Sequence, residues 1–195
     1  MLEDIKSCEY CFLRVSEELQ NDREFVLKAV KSNGYVLEYV SKEFQNDKEI
    51  VLAAVMDHAF ALEHASEILK NDKEFILETI KNEGCAFLYA SEELQNNREF
   101  ILDAVKINSD VLEYVYKKFR DDKEIVIEAI KNGGTSLCYA SDELKNNKKL
   151  MMRALKNIYF VNYIKFKNNQ NQIKFEMRFY HDFLRDSFQK ILEFY

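Results

Sequence analysis

From Asn21 onward the chain repeats itself every 25 residues with no insertion or deletion. No other feature so limits what it can fold into. The units read NDREFVLKAVKSNGYVLEYVSKEFQ from Asn21, NDKEIVLAAVMDHAFALEHASEILK from Asn46, NDKEFILETIKNEGCAFLYASEELQ from Asn71, NNREFILDAVKINSDVLEYVYKKFR from Asn96 and DDKEIVIEAIKNGGTSLCYASDELK from Asp121. A strict period of this length marks a supersecondary unit too small to hide its own apolar face, so neighbouring units must stack and share a core. Residues 1–20 match the last twenty positions of the unit, residues 21–145 make five full units, and residues 146–195 open a sixth that drifts after ALKN. One continuous domain is expected.

Positions are numbered here from 1 to 25 within each unit. With no Pro, no Trp and four Gly against 47% hydrophobic residues, the chain has few strand or hairpin signals and enough apolar side chains for a continuous core. Positions 1 and 4 pair Asn21 with Glu24, Asn46 with Glu49, Asn71 with Glu74 and Asn96 with Glu99, which is a capping-box spacing. It predicts Asn21, Asn46, Asn71, Asn96, Asp121 and Asn146 as helix caps. Asp22, Asp47 and Asp72 then fall on the first helical position, and Lys31, Lys81, Lys106 and Lys131 lie near the other end, which suits the helix dipole. Positions 5, 6, 9, 10 and 13 form the apolar face, as in Phe25, Val26, Ala29 and Val30. Gly34, Gly84 and Gly134 at position 14 predict a stop with positive φ, giving a helix of about 12 residues, or about 18 Å.

A shorter helix is predicted over positions 16–20, with Leu37, Leu62, Leu112 and Leu137 at position 17. Ser16, Ser41, Ser66, Ser91 and Ser141 at position 21 then read as caps for one more turn, for which 3₁₀ geometry is suited, with a buried Leu or Phe at position 24. The fold class is therefore all-α: an α-solenoid of helix-turn-helix repeats, roughly 50–60 Å long at about 8–10 Å per helix layer. Leucine-rich repeats share the period, but their L-x-x-L-x-L strand signature does not occur, and the Gly and Ser breaks exclude a coiled coil.

The string V-L-x-A-V-K-x-N-G-x-x-L-x-Y-A-S-x-E-L-x-N-D-x-E runs with small departures across Val26 to Glu49 and again across Ile76 to Glu99. It resembles the repeat family known as domain of unknown function 4116, over roughly residues 1–157. The resemblance implies a helical repeat array and no catalytic residues. The fourth unit departs from the pattern at Asp110 and at Tyr116, where position 21 loses its Ser, so a looser turn is expected there.

No set of residues predicts catalysis, a metal or a cofactor. Cys8 and Cys11 form a C-x-x-C without a second Cys pair or a His at ligand spacing, and His58, His64 and His181 are isolated. The Asn-Asp pairs lack the alternating acids, Gly and final Glu of a calcium loop, and no phosphate loop, G-x-S-x-G or H-E-x-x-H occurs. Position 19 is different. Tyr39, His64, Tyr89, Tyr114 and Tyr139 recur one unit apart and would form a ladder, either packing between units or serving as anchors for a partner. Positions 8, 12, 15, 18 and 22 vary freely, as solvent-facing positions should.

Residues 146–195 hold ten Lys and Arg against four Asp and Glu, a balance of +6, which leaves 18 against 30, or −12, for residues 1–145. An acidic array argues against nucleic acid, whose phosphates need a cationic stripe. The tail repeats Ile173, Met177, Tyr180, Leu184, Phe188, Ile191 and Tyr195 as one amphipathic stripe. It is expected to cap the solenoid, with a homodimer seam or partner-binding helix as the alternative, and a short strand at residues 171–180 as a second reading of its alternation. No membrane span or secretory signal is read, and four scattered cysteines suit an intracellular, reducing compartment, although export without a classical signal would look the same. The functional expectation is a non-enzymatic scaffold for a protein or peptide partner. The alternative is a structural or regulatory module of a larger assembly or exported effector, acting through self-association.

Overall fold

A computed structural model describes residues 1–150 and 152–154, and among them every regular element is helical. Each unit opens with an α-helix: Arg23–Ser32, Lys48–Val55, Lys73–Asn82, Arg98–Ile107 and Lys123–Asn132, preceded by the partial Leu2–Ser7. A 3₁₀ segment follows: Glu9–Arg14, Gly34–Glu38, Ala59–His64, Gly84–Tyr89, Ser109–Glu113 and Gly134–Tyr139. A short turn closes the unit, as in Glu17–Gln20, Phe44–Asn46 and Glu67–Lys70. Successive long helices pack on one another in one layer, and successive 3₁₀ segments do so in a second. The described part is thus a two-layered helical solenoid. The expected tail cap, its alternatives and His181 lie outside the described residues.

The core runs unbroken between the layers. Position 6 (Val26, Val51, Ile76, Ile101, Val126) and position 17 (Leu37, Leu62, Phe87, Leu112, Leu137) are buried in every unit. Positions 9 and 10 join them, with small Ala29, Ala54, Ala104 and Ala129 letting adjacent helices approach closely. Position 13 is not part of this apolar face. It carries the extended backbone joining helix to 3₁₀ segment, and its Asn works as a latch: Asn33 Nδ2 donates to the Ile5 carbonyl and Asn108 Nδ2 to that of Ile80, both at 3.1 Å and both one unit back. The same side chains accept from Tyr35 N and Asp110 N, capping the 3₁₀ segment.

The helix caps sit one residue later than the capping-box spacing predicts. Asp22, Asp47, Asp72, Asn97 and Asp122 accept from main-chain N–H groups two or three residues on, and Asn147 does likewise. The reason is that the preceding turn runs through position 25, so its own end consumes position 1. Asn21, Asn71, Asn96, Asp121 and Asn146 are C-caps in the αR region, and Asn46 ends its 3₁₀ turn. The side chains of two of them tie one closing turn to the next instead: Asn46 and Asn71 accept from the hydroxyls of Ser66 and Ser91. The helix is correspondingly shorter, ten residues in most units.

The position-14 glycines do not adopt positive φ. Ala59 and Ser109 occupy the same place in other units, so backbone conformation does not demand Gly there. At Gly34 the demand is space: a Cβ would lie 2.5 Å from the Ala54 carbonyl oxygen of the next unit. Its N–H also donates to Asp57 at 2.8 Å.

Ser66, Ser91 and Ser141 cap the closing turns as expected, accepting from Leu69, Leu94 and Leu144, and their own N–H groups donate to the carbonyls of Gln45, Lys70 and Arg120 one unit back. The fourth unit keeps its turn, Lys117–Arg120, without the Ser. Tyr116 OH donates to Gln95, Lys118 reaches Asn96, and Arg120 donates to the Val115 and Glu113 carbonyls, so these contacts replace the missing cap. Arg120 shows a wider pattern: position 25 holds a donor that reaches back to carbonyls at the end of the 3₁₀ segment, as Gln20 does to Val15, Gln45 to Leu37, Lys70 to Glu63 and Gln95 to Ala90, whereas Lys145 pairs with Asp142.

An ion-pair ladder lines the helix N-termini. Arg23 grips Asp47 and Glu49 of the next unit at 2.8 and 2.7 Å, and Arg98 repeats this on Asp122 and Glu124. Lys48 takes Asp72, and Lys73, facing Asn97 where the other units carry Asp, turns to Asp103. The cation beside each of Asp47, Asp72, Asp103 and Asp122 is the largest influence on it and holds its carboxyl below the ordinary value.

Three outcomes follow from this packing. Gly34→Ala lowers thermal stability by about 1–3 kcal/mol through overpacking, and Gly84→Ala, whose added Cβ would stand 3.2 Å from its neighbours, costs less. Asn97→Ala costs about 1 kcal/mol of cap energy and Asn96→Ala measurably less, as urea unfolding would show. Because the folded carboxyls titrate below their unfolded value, their contribution is complete above about pH 4 and is lost as pH falls through the lowered values. Melting curves from pH 7 to 2.5 should fall across that window, and the Asp47→Asn, Asp122→Asn double variant, which keeps an acceptor at both caps, should flatten the fall.

Candidate interaction surface

The ladder residues Tyr39, Tyr89, Tyr114 and Tyr139 sit at the end of the 3₁₀ layer, half-buried against the core, with His64 equally half-buried in the second unit. Helix-to-3₁₀ geometry puts them there: position 17 points inward, so position 19 lies at the rim. Burial pushes the phenols of Tyr39, Tyr89 and Tyr114 above their ordinary range, and for Tyr39 hydrogen bonds with Tyr10 and Glu38 add to it. Tyr139 is pushed up to about 12, first by its hydrogen bond to Glu113 and then by burial. These hydroxyls therefore stay protonated and able to donate at neutral pH.

The ring contacts do not run from one ladder residue to the next. They pass through aromatics that the repeat pattern had marked as freely varying. Tyr10 at position 15 meets Tyr39 of the following unit with centroids 5.3 Å apart, and Phe60 meets Tyr89 edge-on at 6.1 Å. Between them Tyr35 meets His58 at 4.9 Å. Each contact crosses a unit boundary, and the three separate pairs recur along the 3₁₀ layer as an aromatic band from Tyr10 to Tyr89. Tyr10, Tyr35 and Phe60 are 58%, 39% and 54% exposed, far more than rings packing only a core would be. The signal for them was present, since three successive units carry an aromatic at position 15.

Cys8 and Cys11 are free and partly exposed, and burial raises the Cys11 thiol, with its neighbour Cys8 adding to the shift. Among the described residues no three His, Cys, Asp or Glu side chains are grouped as metal ligands would be. No described helix is long and apolar enough to cross a membrane.

The family described as Domain of unknown function (DUF4116) matches the chain over residues 1–45, 23–70, 47–95, 72–120 and 122–168. Each match takes in about two adjacent units, the smallest piece that contains a complete shared seam. No curated protein and no solved structure matches the chain. With most of its length matched in register with the helical units, the chain belongs to the DUF4116 family of helical tandem repeats.

Proposed function

We propose that the chain is a non-enzymatic scaffold that holds a protein or peptide partner along its repeat surface. The observation that carries this reading is the aromatic band of the 3₁₀ layer, in which the exposed rings Tyr10, Tyr35 and Phe60 each touch a ring of the next unit across the boundary. Contiguous exposed apolar surface on a well-packed protein marks interaction sites, and Tyr, with a large rigid ring and a polar tip, is enriched at them. Repetition adds to the case, because several weak contacts in a row act together on one extended partner. Four free cysteines suit a reducing compartment within the cell.

Affinity capture from the source cell, compared between the wild type and the Tyr35→Ser, Phe60→Ser double variant, tests the proposal. Both rings are exposed enough for the variant to stay folded, which a melting curve would verify. One protein should be recovered with the wild type and lost, by about tenfold or more, with the variant. Recovery of only further copies of the chain would favour a self-associating structural module, and co-purification of a small molecule would favour an enzyme. Either result overturns the scaffold.

A further inference from the structure

The band has a charge character that sets it apart from the rest of the array. Positions 13–20 of the five full units comprise forty residues without one Lys or Arg, although the same units carry sixteen elsewhere. Burial does not account for this, because Glu38, Glu63, Glu83 and Asp110 stand exposed among those forty, with Glu113 half-buried beside them. None of these five carboxylates joins an ion pair among the described residues, whereas Asp47, Asp72 and Asp122 at the helix N-termini are held by Arg23, Lys48 and Arg98, and Asp103 farther along its helix by Lys73. Lys70 and Arg120 reach the edge of the face, but they bond the main-chain carbonyls of Glu63 and Glu113 and leave the carboxylates without a cation. The carboxylates also lie next to the rings: Glu38 by Tyr39, Glu63 by Tyr89, and Glu113 by both Tyr114 and Tyr139.

A ring face is negative, a carboxylate is negative, and half-exposed rings exclude water from a cation laid between them. Such a surface repels phosphate and attracts guanidinium or ammonium groups. We infer that the 3₁₀ face binds an extended, Arg- or Lys-bearing segment of a partner protein, one cation entering each of the ring-and-carboxylate sites at Glu38, Glu63 and Glu113. This rests on the scaffold reading and names its partner class. Units stacked about 8–10 Å apart match about every third residue of an extended chain rising 3.3 Å per residue, so the spacing of cations in the partner follows.

The test uses the full chain at 150 mM salt and three fluorescent fifteen-residue peptides, read by anisotropy: Arg at every third position with Ser between, the same composition with the Arg clustered at one end, and Glu in place of Arg. The spaced Arg peptide should bind saturably and at least about fivefold more tightly than the clustered one, and the Glu peptide should not bind. Glu38→Gln, Glu63→Gln, Glu113→Gln together should weaken the spaced peptide about tenfold or more. The matched triple Glu24→Gln, Glu74→Gln, Glu99→Gln on the long helices, also exposed, should change it less than threefold. Phe60→Ser, which keeps every charge, should weaken it about threefold.

Absence of saturable binding by the spaced peptide, or equal loss from both triples, overturns the inference, the second result meaning attraction to net charge alone. If a protein is still captured through Tyr35 and Phe60 while the Arg peptide fails, the partner class is wrong and the scaffold stands. If capture also yields only the chain itself, the scaffold falls too.

Discussion

The structure depends on one constraint: no unit has a side of its own on which to bury its apolar residues. A ten-residue helix and one or two turns of 3₁₀ leave positions 6, 9, 10 and 17 facing a neighbour, and residues such as Val26, Ile76 and Ile101 reach full burial only against the next unit. The polar groups that set the register follow from this. Because the seam lies between units, so do the bonds that align it: position 13 to the position 10 carbonyl behind, position 21 to the position 25 carbonyl behind, and position 3 to the acid at position 2 ahead. A slip by one residue would break all three sets together, which is why the period shows neither insertion nor deletion from Asn21 to Lys145.

That coupling explains which parts of the fold were legible in the sequence. The period and the buried positions were, because apolar side chains must recur wherever the seam recurs. What was misread involves groups whose geometry is decided by the adjacent element. Asn-Asp offers two adjacent caps, and Glu three residues beyond the Asn favours the first; the turn ahead, however, ends on that Asn and leaves the helix to Asp. Gly at the end of a helix suggests a left-handed residue, yet Gly34 is dictated by the Ala54 carbonyl, a neighbour that no local pattern displays. The helix expected over positions 16–20 is a 3₁₀ segment starting at position 14, since an extended residue at position 13 restarts the chain earlier than the Leu spacing suggests.

The Ser-less turn of the fourth unit teaches the same lesson in reverse. Removing a cap predicts loosening only if nothing else can supply the bonds. Here Tyr116, Lys118 and Arg120 change together, and each finds a partner: Gln95 of the unit behind, Asn96 at the start of its own unit, and the carbonyls at the end of its own 3₁₀ segment. The cue at position 25, always Gln, Lys or Arg in the described turns, is visible as a column of donors; only the fold shows that Gln20, Gln45, Lys70, Gln95 and Arg120 converge on carbonyls at the end of the 3₁₀ segment, where its own ladder runs out.

Once these requirements are met, few positions remain free to carry function, and the two layers differ in how free they are. At the helix N-termini Arg23, Lys48 and Arg98 at position 3 are engaged with the position 2 acid of the next unit, so a partner docking there would have to break Arg23 from Asp47 or Arg98 from Asp122. On the 3₁₀ layer, positions 15 and 18 have no such duty. They vary in size and charge from Tyr35 to Thr135 and from Glu38 to Leu88 without disturbing the seam. The aromatic residues concentrate there in the first units, where nothing in the packing requires Tyr10, Tyr35 or Phe60 to be aromatic or exposed. Surface that is costly in water and unnecessary to the fold has to be accounted for by what covers it, and in the five full units, beyond the lone Arg14 of the partial first unit, the absence of Lys and Arg from that layer restricts the covering chemistry to groups that a carboxylate-edged ring face would welcome.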